Sequence, residues 1–94
     1  MIVSFKCRET ERIWNGEQSP SFPADIQSTA RRKLRMINAA VALLDLKSPP
    51  GNRLESLKGD RAGQWSIRIN DQWRVCFEWG KDNNAREVEI TDYH

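Results

Sequence analysis

The carboxyl terminus places three side chains suited to proton transfer next to one another. Asp92, Tyr93 and His94 supply a carboxylate, a phenol and the only imidazole of the 94-residue chain. Histidine titrates near neutral pH and is therefore suited to general acid or base catalysis. An idle terminal histidine is the simpler alternative. Residues 87–91 read as a strand, however, which predicts that the triplet is held in place.

Basic residues are concentrated upstream of this triplet. Residues 31–52 carry five basic and one acidic side chain, and residues 53–74 carry five and three. The cations of the second stretch are Arg53, Lys58, Arg61, Arg68 and Arg74. Guanidinium binds phosphate oxygens through two parallel hydrogen bonds, so the pattern favours an anionic partner, with a solvated surface as the alternative. Acid–base groups among such cations are what cleavage of an RNA backbone requires.

Length and composition limit the class of protein. Ninety-four residues predict a single domain, 1–94, with a modest core. No apolar run approaches the ~20 residues of a membrane span. Polar residues also occur too early in the amino-terminal segment for a secretory signal. Cys7 and Cys76 fit neither a disulfide framework nor a zinc spacing. We therefore expect a cytoplasmic protein with no metal site, no cofactor and no membrane contact.

Helices are predicted in the first half of the chain. Ile2–Lys6 alternates weakly as a first strand, and residues 8–16 predict a short helix. A second helix is predicted from Pro23 to about Leu46, where residues 47–51 end it. Its apolar residues recur every three or four positions, which predicts one buried stripe. The stripe comprises Ile26, Ala30, Leu34, Ile37, Val41 and Leu44.

Three arginines of this helix, Arg31, Arg32 and Arg35, group away from the apolar stripe. They are either a solvated helix face or a ridge that binds the RNA backbone. Met36 and Leu43 also point away from the stripe. They are either covered by the first helix or available to a partner.

The second half of the chain predicts three strands. Apolar residues alternate over residues 64–69 and again over 73–79, on either side of an Asn70-Asp71 turn, which predicts a hairpin. A further turn at 80–84 leads to a last strand at 86–93. We expect Trp65, Trp73 and Trp79 to belong to the core rather than to stack on bases.

Strand alternation also predicts where Arg74 points. If Trp73 and Val75 face the helices, Arg74 faces the other way with Ser66 and Arg68. Helices on one side only would leave this face open. It is then either a solvated surface with cross-strand ion pairs or an anion site.

Four segments occur together in this chain: the Met-Ile-x-Ser-Phe opening, SPPGNRLESLKGDRAGQWSIR (48–68), NDQWRVCF (70–77) and the triplet 92–94. Together they resemble the HigB branch of the RelE-like toxins of bacterial type II toxin–antitoxin systems. The resemblance implies an α+β, RelE-like fold with two N-terminal helices on a twisted, mainly antiparallel sheet of about four strands. It also implies a ribosome-dependent mRNA endoribonuclease that inhibits translation. Its partner would be a HigA-type helix-turn-helix antitoxin, through which alone operator DNA is bound.

The resemblance also implies the active-site groups. By position they fall on Lys58, Arg74, Asp92, Tyr93 and His94. RNA binding would extend over Arg31, Arg32, Arg35, Arg53, Arg61 and Arg68. Some members carry a histidine just before the lysine, where this chain has Glu55 and Ser56, so base and acid cannot both be histidines here.

The expected reaction is attack of the RNA 2′-hydroxyl on the adjacent phosphorus, without a metal. Arg74 and Lys58 would stabilise the transition-state charge, and His94 would be the general acid. Asp92 would be either the base or the residue that orients His94, and Tyr93 would stack on or position the nucleotide. The rival from another class is a non-catalytic RNA-binding or interaction module that acts with a DNA-binding partner.

Overall fold

Two helices pack on one face of a four-stranded antiparallel sheet in the computed structural model, which describes residues 1–92. The helices are α1 (Arg8–Trp14) and α2 (Ala24–Ala39). The strands are β1 (Glu55–Ser56), β2 (Gln64–Arg68), β3 (Trp73–Trp79) and β4 (Ala85–Asp92), in the spatial order β1-β2-β3-β4. Short 3₁₀ helices span Leu43–Lys47, Pro50–Asn52 and Gly59–Arg61. This architecture confirms the predicted α+β class.

The hairpin of β2 and β3 has the register that the alternation predicts. Ile67 lies opposite Val75, and Trp65 lies opposite Phe77. These side chains face α2 and form the core with its buried stripe. The three strand tryptophans pack against this core while half-buried, which confirms their predicted place.

The predicted amino-terminal strand is only partly present. Instead of a full strand at Ile2–Lys6, two isolated parallel bridges join Ile2 to Ala85 and Phe5 to Val88. The segment lies along β4 because the amides of Val3 and Lys6 donate to carbonyls of that strand. A positive φ of 53° at Glu87 and a register shift opposite Cys76–Glu78 interrupt the regular ladder of β4 nearby.

The predicted end of α2 at Leu46 is wrong. The helix ends at Ala39, because the backbone turns extended at Ala40 and Asp45 Oδ2 accepts hydrogen bonds from the amides of Val41 and Ala42, both at 3.0 Å. This side-chain acceptor offers the backbone an alternative to another helical turn. Val41 and Leu44, predicted to be in the core, are consequently 77% and 63% exposed.

Within residues 1–92, no helix is long and apolar enough to cross a bilayer. The helices instead bury one stripe each on the sheet. Met36 and Leu43, the two residues expected to point away from the stripe, are half-buried against the core. This contact removes the main reason to read them as a free docking spot.

Candidate active site

The candidate site is built on the face of the sheet that points away from α2. We call it the far face; it consists of Ser66 and Arg68 on β2, Arg74 and Cys76 on β3, and Glu89 and Thr91 on β4, which the strand pairing places on one side. The expectation that this face is open is wrong at its centre, where Ser66 and Cys76 are fully buried. Residues 50–61 lie across it and supply contacts from above.

Arg74 lies on β3, an interior strand of the sheet, and is only 7% exposed. Its Nε donates to Ser66 Oγ at 2.7 Å, and its Nη2 donates to the main-chain oxygen of Arg53 at 2.6 Å. These bonds fix the plane of the guanidinium before any ligand arrives. A fixed guanidinium is suited to stabilising charge that develops on a phosphate.

Arg68 lies directly opposite Arg74 in the β2–β3 pairing. Two like charges in this position repel each other unless other groups compensate. Asp71, in the hairpin turn, makes an ion pair with Arg68 and offsets part of this repulsion. The pairing therefore concentrates positive charge at the turn end of the far face.

Arg61 reaches the far face from the 3₁₀ helix Gly59–Arg61. Its Nη1 donates to Glu89 Oε1 at 2.7 Å and to Gln64 Oε1 at 3.1 Å. Glu89 also lies 3.8 Å from Lys6 Nζ. A carboxylate thus holds one of the predicted RNA-binding arginines over the sheet.

Lys58 and Arg53 are exposed at the edge of the same region. Within residues 1–92, the Lys58 ammonium makes no hydrogen bond or ion pair, so its side chain is available to a ligand. The turn that follows requires Gly59, whose φ of 65° is disfavoured for residues with a Cβ atom. The structure therefore places Arg53, Arg61, Arg68 and Arg74 on or over the far face, with Lys58 just before the 3₁₀ helix that carries Arg61.

The terminal triplet is described only at Asp92; Tyr93 and His94 lie outside the described residues. Asp92 pairs with Trp73 and so lies on the helix-facing side of the sheet, whereas Arg74 pairs with Thr91 on the far face. Asp92 Oδ2 accepts a hydrogen bond from Gln72 Nε2 at 3.0 Å. By this register the Asp92 and Arg74 side chains lie on opposite faces of the sheet.

The three arginines of α2 do not form one exposed ridge. Arg31 is half-buried, with Nε donating to the main-chain oxygen of Ile13 at 2.9 Å and Nη2 donating to that of Glu17 at 3.2 Å. It thus adds a second donor to the Ile13 carbonyl at the end of α1, which also accepts the amide of Gly16 at 3.1 Å. Arg32 and Arg35 are exposed as predicted.

Sequence reasoning missed two buried polar residues beside the site, Lys33 and Asn52. Lys33 Nζ donates to Asn52 Oδ1 at 2.6 Å. Burial, and to a smaller extent the charges of Arg32 and Arg68, lower the pKa of Lys33. A signal was present, because Lys33 stands seven residues after Ile26 and belongs beside the apolar stripe.

Cys76 forms part of the floor of the far face. Burial raises the pKa of its thiol, an effect that the nearby Arg61 partly opposes. Cys7 and Cys76 are both free thiols. Within residues 1–92, no group of three or more His, Cys, Asp or Glu side chains is arranged to hold a metal ion.

Comparisons of sequence point to one family. A family model described as RelE-like toxin of type II toxin-antitoxin system HigB matches residues 3–94. The chain is 39% identical over 80 residues to Toxin HigB-1 of Vibrio cholerae, covering 84% of each protein. It is 30% identical over 94 residues to Endoribonuclease HigB of Proteus vulgaris, covering all of both.

Comparisons of structure agree on the fold. The YoeB–YefM toxin–antitoxin complex from Staphylococcus aureus contains a chain with a TM-score of 0.62 and 19% identity, covering 100% of this chain and 98% of that one. YafQ from E. coli has a TM-score of 0.60 and 9% identity, covering 98% and 93%. These similarities confirm the predicted RelE-like fold and, at such identities, speak for the fold alone.

Proposed function

Because this chain belongs to the HigB-like family of RelE-like toxins of type II toxin–antitoxin systems, we propose that it is an endoribonuclease that cleaves mRNA on the ribosome and so inhibits translation. The similarity to Endoribonuclease HigB of Proteus vulgaris supports the reaction class. The site would be Lys58, Arg74, Asp92, Tyr93 and His94. Its action would take place in the cytoplasm, where mRNA and ribosomes meet.

The proposed reaction uses a nucleophile that RNA itself supplies. The 2′-hydroxyl oxygen attacks the adjacent phosphorus, the bond to the 5′-oxygen breaks, and the products carry a 2′,3′-cyclic phosphate and a 5′-hydroxyl. A base takes the 2′-hydroxyl proton, and an acid gives a proton to the leaving oxygen. No step requires a metal ion, because neither the nucleophile nor the leaving group depends on one.

The observation that carries this proposal is the fixed guanidinium of Arg74 beside Arg68. Arg74 is held by Ser66 and the Arg53 carbonyl at 2.7 and 2.6 Å, so little reorganisation is required when charge develops on the phosphate. Lys58, exposed at the edge, would stabilise the same charge secondarily. Arg53, Arg61, Arg68, Arg32 and Arg35 would bind backbone phosphates without reading sequence.

His94 is proposed as the general acid and Tyr93 as the residue that stacks on the nucleotide. Asp92 is proposed to orient the histidine, because strand register places its carboxylate on the side of Trp73 rather than that of Arg74. The general base must be a group other than an imidazole, because the chain has one histidine and that residue is proposed as the acid.

A partner is part of the proposal. Toxins of this family type act with an antitoxin, and two of the similar solved structures are complexes of a toxin with its antitoxin. We propose a HigA-type antitoxin with a helix-turn-helix domain, through which the pair would bind operator DNA. The toxin alone would make no specific contact with that DNA.

The test is single-turnover cleavage of ribosome-bound mRNA. We expect Arg74→Ala, and a chain lacking His94, to be slower by about 10²–10³-fold, the usual cost of removing one transition-state donor. Arg86→Ala is the matched control, because that arginine pairs with Asp82 in a distant turn. Circular dichroism must show that each variant is folded.

Two results would refute the proposal. Rates within threefold of wild type for both site variants would contradict the site, and a 5′-phosphate on the downstream product would contradict 2′-hydroxyl attack. RNA binding without any cleavage would instead favour the rival function, a non-catalytic RNA-binding module.

A further inference from the structure

We propose that Lys33 is a positioning residue that orients the Arg74 guanidinium through Asn52 and the main chain of Arg53. The expected effect on the cleavage rate rests on the proposed function. The expected effect on the orientation of Arg74 does not depend on it. It adds a residue of α2 to a site otherwise built from the second half of the chain.

The first link joins Lys33 to Asn52. Lys33 is 9% exposed, and its Nζ donates to Asn52 Oδ1 at 2.6 Å. Asn52 is fully buried, and its Nδ2 donates to the main-chain oxygens of Leu46 and Ser48 at 3.2 and 3.4 Å. The amide is therefore fixed from both ends, and Lys33 is the donor that satisfies its oxygen.

The second link joins Asn52 to Arg74. Arg53 follows Asn52 with a left-handed backbone (φ 45°, ψ 57°), which residues other than glycine adopt rarely and which persists when neighbours hold it. The carbonyl of Arg53 accepts the hydrogen bond from Arg74 Nη2 at 2.6 Å. Lys33 and Arg74 thus hold this strained turn from its two sides, at Asn52 and at Arg53.

The chemistry at position 33 supports a specific role. Lys33 stands within one turn of Ala30 and Ile37 in the buried stripe, where an apolar side chain would pack without a desolvation cost. Burial and the nearby charges of Arg32 and Arg68 disfavour its ammonium. A lysine in this buried position, where the amide oxygen of Asn52 is its hydrogen-bond partner within residues 1–92, indicates that this contact has a use.

The direct test is the side-chain Nε–Hε signal of Arg74 in a ¹⁵N correlation spectrum of the full chain. The signal that disappears in Arg74→Lys identifies it. We expect Lys33→Met to shift or broaden this signal, because the Arg53 carbonyl loses its fixed place. Lys47→Met, which removes an exposed lysine nearby, should leave it unchanged.

The kinetic test uses cleavage of ribosome-bound mRNA. We expect kcat of Lys33→Met to fall about 10- to 100-fold, since a small misplacement of a catalytic group has effects of this size, with KM changed less than about twofold. Lys33→Gln, which keeps a neutral N–H donor, should recover part of kcat. It also serves as the test variant if Lys33→Met does not fold.

A double variant separates positioning from general stability. If Lys33 acts through Asn52, Lys33→Met combined with Asn52→Ala lowers kcat no further than Asn52→Ala alone. An unchanged Arg74 signal in folded Lys33→Met, or additive losses in the double variant, would overturn the inference. Full activity of Arg74→Ala would instead overturn the proposed function, and the spectrum would still decide the role of Lys33.

Discussion

At the scale of single residues, the cations on the far face and above it are held by specific neighbours. Arg74 is bound to Ser66 and a main-chain oxygen, and Arg61 is bound to Glu89. Intramolecular partners fix the side chains, but a carboxylate partner also lowers the positive potential available to RNA. Glu89 is the residue where these two effects oppose each other.

Replacing Glu89 tests which effect is larger, the fixation of Arg61 or the loss of positive potential. In Glu89→Gln the charge that holds Arg61 at 2.7 Å is lost, so we expect tighter binding of single-stranded RNA. The slope of log K against log salt should steepen by up to about 0.7, the value for one added phosphate contact. The measurement is a salt titration of RNA binding by fluorescence anisotropy.

The control is Glu87→Gln, which removes the same charge from an exposed position on the same strand. Weaker binding by Glu89→Gln, or an equal gain in the control, would contradict a specific release of Arg61.

At the scale of elements, the end of α2 shows how one acceptor overrides a periodic pattern. Apolar residues continue at helical spacing to Leu44, yet Asp45 accepts the amides of Val41 and Ala42 and starts a 3₁₀ helix. Leu46 then fills the core position, with 2% exposure. The early end also lets residues 48–52 return beneath α2, where Asn52 meets Lys33.

Removing the acceptor should destabilise this element. We expect Asp45→Ala to lower the free energy of unfolding by about 1 kcal/mol, as for the loss of a helix cap. For a domain of this size that corresponds to a decrease in Tm of about 4–8 °C, measured by thermal denaturation.

The matched control is Asp60→Ala, since that exposed carboxylate lies in the first turn of another 3₁₀ helix. An equal loss of stability in the two variants would show that lost charge, rather than the lost cap, is responsible.

At the scale of the whole molecule, the first and last segments of the described range 1–92 meet in one core. Ile2 bridges to Ala85, and Thr10 Oγ1 accepts a hydrogen bond from the amide of Ile90 at 2.9 Å. Contacts between residues this far apart in sequence predict that residues 1–94 unfold as one cooperative domain.

Calorimetry tests this prediction. We expect one transition, equal calorimetric and van 't Hoff enthalpies, and a heat-capacity increase of about 1.1–1.4 kcal/mol/K. Thr10→Val leaves the buried amide of Ile90 without its acceptor, at a cost of about 1–3 kcal/mol, so the single transition should move to lower temperature without splitting. Two resolved transitions in the wild type would contradict the single domain.

The sequence by itself determined the features that depend on near neighbours. The alternation over 64–79 specified which residues of the hairpin face the core, and the spacing of Ile26, Ala30, Leu34 and Ile37 specified the buried face of α2. The motifs at 48–77 indicated the family. These patterns are readable because strand and helix geometry repeat every two or 3.6 residues.

Only the tertiary structure decided the features that depend on distant partners. The burial of Arg74 requires the carbonyl of Arg53, 21 residues away, and the burial of Lys33 requires Asn52, 19 residues away. No periodic pattern encodes such meetings, because they arise from where a loop returns over the sheet. Whether a cation is solvated or held in place is therefore set by packing rather than by local sequence.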